Sequence, residues 1–161
     1  MAGWRLRPHG IILDEETFGG VAELEIRQAV RLRYAVSLLT IHQSNGHVGT
    51  PAEAAEQLAE VVSPLIRNTD LIEVGLSAAT IRVLLVGGEL EDLRNIVQRI
   101  ITETSPHRFD ERPAPVVLSI GGSSFPATAG SSRELFHQAD ALAAEAHETV
   151  PAYSTYRLPD R

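Results

Sequence analysis

Few side chains in this 161-residue chain could carry chemistry, and their spacing narrows what they could do. His42 and His47 stand five apart across a polar stretch and could ligate a metal. No third ligand converges with them in sequence, and solvated loop histidines are the commoner outcome. Gly87-Gly88 and Gly121-Gly122 lack the G-x-G-x-x-G spacing of a dinucleotide site and read as turns. Asp110-Glu111 lies between Arg108 and Arg112, a solvated charge cluster. The chain has no cysteine, which excludes disulfides, thiolate nucleophiles and cysteine-held zinc or iron-sulfur centres. All 14 basic residues are arginine. A P-loop, a Schiff-base enzyme and a kinase each need a lysine ammonium, so those mechanisms are excluded too.

The formal net charge of -7 argues against sequence-independent nucleic-acid binding, which draws its affinity from a basic face. No stretch reaches the length of a membrane span, and Met1 to Gly10 lacks the apolar core of a signal peptide. A cytoplasmic, single-domain protein is expected, large enough to bury about 70% of its unfolded surface.

The elements that must position any site follow from periodicity. Glu15 to Arg33, with Val21, Leu24, Ala29 and Val30 among charges, predicts a leading helix. Tyr34 to Ile41 is apolar and β-branched, a buried central strand followed by the turn formers Ser44, Asn45 and Gly46. Thr50, Pro51 and Glu53 spell a helix start, with Ala55, Leu58, Val62 and Leu65 at helical spacing. Leu71 to Val74 and Ile81 to Val86 predict a hairpin, and Glu89 to Thr104 a helix with one apolar face. Val116 to Ile120 predicts a strand ending at Gly121 and Gly122. Ser131 and Glu134 open a further helix, and Tyr153 to Arg157 a final edge strand. Strands interleaved with helices imply a mixed sheet with helices packed on it, an α/β (α+β) architecture.

The stretch Ser119-Ile120-Gly121-Gly122-Ser123-Ser124-Phe125-Pro126 resembles the S-I-G-x-A-x-Y/F-P segment of GGDEF domains, the bacterial diguanylate cyclase family. Further matches follow in order: Asp14 and Thr17 at the opening D-x-L-T, Arg67-Asn68-Thr69-Asp70 at R-x-x-D, Leu84-Leu85 after the signature hairpin, and Ala139-Asp140 of A-D-x-A-L-Y-x-A-K. The resemblance runs from Asp14 to Tyr156, giving an N-terminal extension over 1–13 and a GGDEF-like domain over 14–161. It implies a mixed sheet of about five strands with a ferredoxin-like core, as in nucleotide cyclases and polymerase palms.

The departures from the family matter as much. The signature glycines and carboxylates fall at Leu76, Ser77, Ala78, Ala79 and Thr80, and the metal-binding D-x-D falls at Thr40-Ile41-His42. The guanine-contacting loop is shortened to Gln43 to Thr50, with Asn45 its only remnant. The phosphate-binding lysine falls at His147, and the arginine beyond it at Pro151. Mg²⁺ prefers hard oxygen ligands, which these residues replace poorly. Phosphoryl transfer rests on positioned metal and cations, so the expectation is a degenerate domain without cyclase activity, without catalytic residues and without a cofactor.

Many members of the family bind intercalated cyclic di-GMP through R-x-x-D, five residues before the signature. Arg67 and Asp70 match motif and spacing, and Arg99 is the nearest candidate for a second arginine, ahead of Arg94. An arginine can pair with guanine O6 and N7, and a carboxylate can accept from N1 and N2. The structural alternative is that Arg67 complements a helix C-terminus while Asp70 caps a turn. Arg67 and Asp70 exposed and pointing the same way, with Arg99 near them, would favour ligand binding, whereas burial of Asp70 against backbone amides would decide for the structural alternative. Two functions are therefore expected: a cyclic di-GMP receptor that regulates a partner or a second copy, or a nucleotide-independent dimerisation module. Residual GTP binding without turnover is a weaker third.

Overall fold

The computed structural model describes residues 10–43, 49–75, 78–106, 116–149 and 153–160. Asn45, His47, Leu76, Ser77, Asp110, Glu111 and Pro151, singled out above, lie outside the described residues.

The elements in chain order are β1 (Ile11–Leu13), α1 (Glu15–Leu32), β2 (Val36–Gln43), α2 (Pro51–Val62), β3 (Leu71–Val74), β4 (Thr80–Val86), α3 (Leu93–Thr104), β5 (Leu118–Phe125), α4 (Ser132–Thr149) and β6 (Thr155–Arg157). Short 3-10 turns over Ser63–Leu65 and Leu90–Asp92 follow α2 and precede α3. The strands form one mixed sheet in the order β1-β3-β4-β2-β5-β6. The central β4-β2-β5 ladders are antiparallel, and the two three-residue edge strands run parallel to their neighbours. The mixed α+β architecture expected from the interleaving is the one found. The sixth strand comes from the last residues of the N-terminal extension, since Ile11–Leu13 pairs with β3. Three residues are too short for a period to show in sequence.

Alternation on β2 divides the core. Leu39 and Ile41 face α2 and α3 with Leu58, Val62, Val97 and Ile100, whereas Val36 and Leu38 face α1 and α4 with Phe18, Ala22, Leu135 and Ala139. Both faces of the sheet are covered, which explains why β2 is buried along nearly its whole length, at Ser37 and Thr40 as well as at its apolar residues.

The caps follow the sequence. The Asp14 side chain accepts from Thr17 N and that of Thr50 from Glu53 N. At α4 the Glu134 amide donates to Ser131 Oγ, while the Glu134 carboxylate takes the amide of Gly130. On α1 the inward residues are Phe18, Ala22, Ile26 and Ala29, while Leu24 and Val30 face solvent, a correction to the apolar face expected there.

Gly121 and Gly122 are a second correction. They do not end a strand but lie inside β5, which continues to Phe125. A Cβ on Gly121 would come within 2.1 Å of Ala143 N and 2.2 Å of Ala139 O, so the glycine is what lets α4 lie directly on the strand. Gly87, with φ of +82°, is the turn residue that the sequence suggests.

Candidate functional site

Two clefts open at opposite ends of the β3-β4 hairpin. At the Asp70 and Gly87 end, a cleft of about 370 Å³ is lined by Arg67, Asp70, Asp92, Asn95, Ile96 and Arg99 among others. The sequence separates these residues by up to 32 positions, and the fold brings all three proposed ligand residues to one opening.

Their side chains differ in what they present. Arg67, with 63% of its side chain exposed, donates from Nη2 to the carbonyl of Val86 at 3.1 Å and keeps its Nε 3.7 Å from Asp70 Oδ2. Arg99 is exposed on α3. Asp70 is buried, 1% exposed, and its two carboxylate oxygens accept from separate backbone amides, Oδ2 from Arg67 N and Oδ1 from Val86 N, each at 3.0 Å. That is the turn-holding arrangement: the carboxylate ties the end of β4 to the start of β3. Burial pushes its pKa up, and the two amides and the Arg67 charge pull against that shift.

At the other end of the hairpin, a cleft of about 440 Å³ is bordered by Thr40, His42, Glu73, Thr80, Arg82, Asp140 and His147. The Arg82 guanidinium dominates it. Nε donates to Asp140 Oδ1 at 3.0 Å and Nη2 to Oδ2 at 2.7 Å, while Nη1 pairs with Glu73. Thr40 Oγ1 donates to Asp140 Oδ1 at 2.6 Å. His42 Nδ1 lies 2.8 Å from Thr80 Oγ1, and its ring meets that of His147 edge-on at 5.3 Å. Burial pushes the Glu73 carboxyl up, against the pull of Arg82. The hydrogen bonds that Arg82 donates to Asp140 push the guanidinium pKa further up.

These residues do not fit the Mg²⁺ that the resemblance to cyclases implies. Mg²⁺ needs near-octahedral oxygen donors. Here both carboxylates already share one guanidinium, and the hydroxyl of Thr40 is turned to Asp140 as a donor. Among the described residues there is also no cluster of three histidine or acidic side chains arranged to hold a metal.

The importance of Arg82 and Glu73 was missed in sequence. The available signal was a lone charge inside each of two buried strands, L-I-E-V and T-I-R-V-L-L-V, which commonly marks a cross-strand pair.

No family model matches the sequence, and neither does any curated protein. Solved structures do match. The GGDEF domain of YfiN (TpbB) from Pseudomonas aeruginosa superposes with a TM-score of 0.79 at 22% identity, over 92% of this chain and 97% of that one. The active GGEEF domain of a diguanylate cyclase from Vibrio cholerae gives 0.74 at 19%, over 89% and 97%. The GGDEF domain of DgcB from Caulobacter crescentus, solved in complex with c-di-GMP, gives 0.73 at 12%, over 89% and 90%. The chain therefore has the GGDEF-domain fold, the architecture that its S-I-G-G, R-N-T-D and A-D runs implied. Among the described residues no helix is long and apolar enough to cross a membrane.

Proposed function

We propose that the chain is a non-catalytic GGDEF-type signalling domain that receives cyclic di-GMP at the Arg67-Arg99 cleft. It would pass that state to a partner, either a second copy or a regulated protein. The observation that carries the reading is the convergence of two exposed arginines, Arg67 from the turn before β3 and Arg99 from α3, on one opening of about 370 Å³. A guanidinium matches the O6/N7 edge of guanine and the phosphates of a cyclic dinucleotide alike. Asp70 supports the site by fixing the turn that carries Arg67. DgcB, solved with c-di-GMP, shares the fold.

Loss of turnover is supported at the opposite cleft. Thr40 and His42 stand where cyclases carry metal-binding aspartates, Ala78 to Thr80 hold no carboxylate, and His147 replaces the phosphate-binding lysine. Without those groups little remains to stabilise phosphoryl transfer.

Calorimetric titration of the full chain with cyclic di-GMP should give micromolar binding that Arg67→Ala abolishes and Arg99→Ala weakens. No binding at high protein concentration would overturn the receptor reading. Cyclic di-GMP formed from GTP and Mg²⁺ would overturn the non-catalytic one. The second reading, an interaction module indifferent to nucleotide, is favoured by the burial of Asp70, which leaves the guanine N1 and N2 amines without that acceptor. It predicts an oligomeric state that sedimentation finds unchanged by cyclic di-GMP.

A further inference from the structure

A guanine held at the Arg67-Arg99 cleft offers two donors, N1–H and N2–H₂, that Asp70 does not meet, because that carboxylate is already closed on the amides of Arg67 and Val86. Another acceptor lines the same cleft. Asp92 stands at the N-terminus of α3, followed by Asn95, Ile96 and Arg99 on the helix. With 3.6 residues per turn these four positions fall within about 100° of arc, so one helix face supplies one wall. Arg67 reaches the opening from the turn before β3, and Leu65 and Leu85 add apolar surface for the face of a base. Asp92 is exposed. Its Oδ2 accepts from the Glu89 amide at 3.2 Å, and among the described residues its Oδ1 takes no hydrogen bond.

We infer that Asp92 is the residue that specifies guanine in this cleft, accepting from N1–H and N2–H₂ of a base whose O6 and N7 meet an arginine. The two edges lie on opposite sides of the base, so the recognition needs a cation and an anion from separate positions, and Arg67 and Asp92 supply them. An ionised carboxylate only accepts, which suits the two guanine donors. Adenine in the same pose turns the lone pair of its N1 towards that carboxylate, and the repulsion selects against it. The neighbouring Asn95 amide carries donors as well as an acceptor and so discriminates less.

This inference rests on the receptor reading and names the residue that selects the base. The experiment is calorimetric titration of the full chain with cyclic di-GMP and with cyclic di-IMP, the inosine analogue that lacks only the N2 amine, for the wild type, Asp92→Ala and Asp92→Asn. The wild type is expected to bind cyclic di-GMP about tenfold tighter than the analogue, the worth of one hydrogen bond to a charged group. Asp92→Ala is expected to weaken cyclic di-GMP by a similar factor and to bind the two ligands alike. Because Asp92 also accepts from the Glu89 amide, lost affinity alone is ambiguous; the ratio between ligands is not, since a structural role weakens both equally and keeps the preference. Asp92→Asn keeps an oxygen for that amide, guards against a loss of fold, and is expected to show a reduced preference. A wild type that binds both ligands equally, or an Asp92→Ala chain that keeps the wild-type preference, would overturn the inference and leave the receptor reading standing. A wild type that binds neither would overturn both.

Discussion

At the scale of single residues, Asp70 shows how one motif can carry two meanings. R-N-T-D is legible in sequence as a candidate guanine clamp, but the orientation of its carboxylate is set by Val86, whose amide is 16 residues away. No tetrapeptide contains that information. Because the buried Asp70 carboxylate satisfies two part-buried amides, Asp70→Ala is expected to destabilise the chain by about 2 kcal/mol in urea unfolding. Asp70→Asn keeps one acceptor oxygen and should lose less. In a calorimetric titration a folded Asp70→Asn chain should retain cyclic di-GMP binding, since the carboxylate acts through the turn. Loss of binding at unchanged stability would instead make Asp70 a direct contact. The opposite cleft was less legible. The sequence reading there rests on the signature carboxylates that the resemblance leads one to expect, while the Arg82 grip on Asp140 joins positions 58 residues apart.

At the scale of elements, the clearest signals were local ones. The caps at Asp14, Thr50 and Ser131 and the hairpin of β3 and β4 are written in adjacent residues, and each forms as its side-chain chemistry dictates. The end of β5 was misjudged because glycine has two uses, as a turn former and as a place where another backbone comes close. Only the position of α4 decides between them. Gly121→Ala should therefore destabilise by about 3 kcal/mol or more, the upper end for overpacking, because it meets helix backbone and not a movable side chain. Denaturant unfolding checks this, and a cost below about 1 kcal/mol would mean that α4 shifts freely.

A second link, from α1 to the start of β2, is the Tyr34 hydroxyl, which donates to Glu25 Oε2 at 2.8 Å. Burial first, and then the Glu25 carboxylate, pushes its pKa up to about 12 from 10.0. A pKa raised on folding stabilises fully below the unfolded value, so this contribution is present below pH 10 and is lost as pH climbs towards 12. Absorbance titration of tyrosinate should show one late-ionising tyrosine that Tyr34→Phe removes and Glu25→Gln shifts downward.

At the scale of the whole molecule, one hairpin separates two clefts of different character. The end bounded by Asp70 and Gly87 keeps a cleft open beside exposed arginines, while the end bounded by Gly75 and Ala78 holds its carboxylates on an internal guanidinium. The absence of lysine fits this division. On the resemblance to cyclases, a change from lysine to arginine would have kept a cation at their lysine position, where this chain has His147. The proposed receptor role calls for guanidinium groups, and Arg67 and Arg99 line the open cleft. A nuclear magnetic resonance titration of backbone amides tests that division most directly, because it locates a ligand as well as detecting it. Cyclic di-GMP is expected to shift the amides of Arg67 to Asp70, Gly87, Gly88 and Arg99 while leaving Thr40, Thr80 and Ala143 in place. Shifts concentrated at Thr40, Thr80 and Ala143, or no shift anywhere at millimolar ligand, would contradict the account.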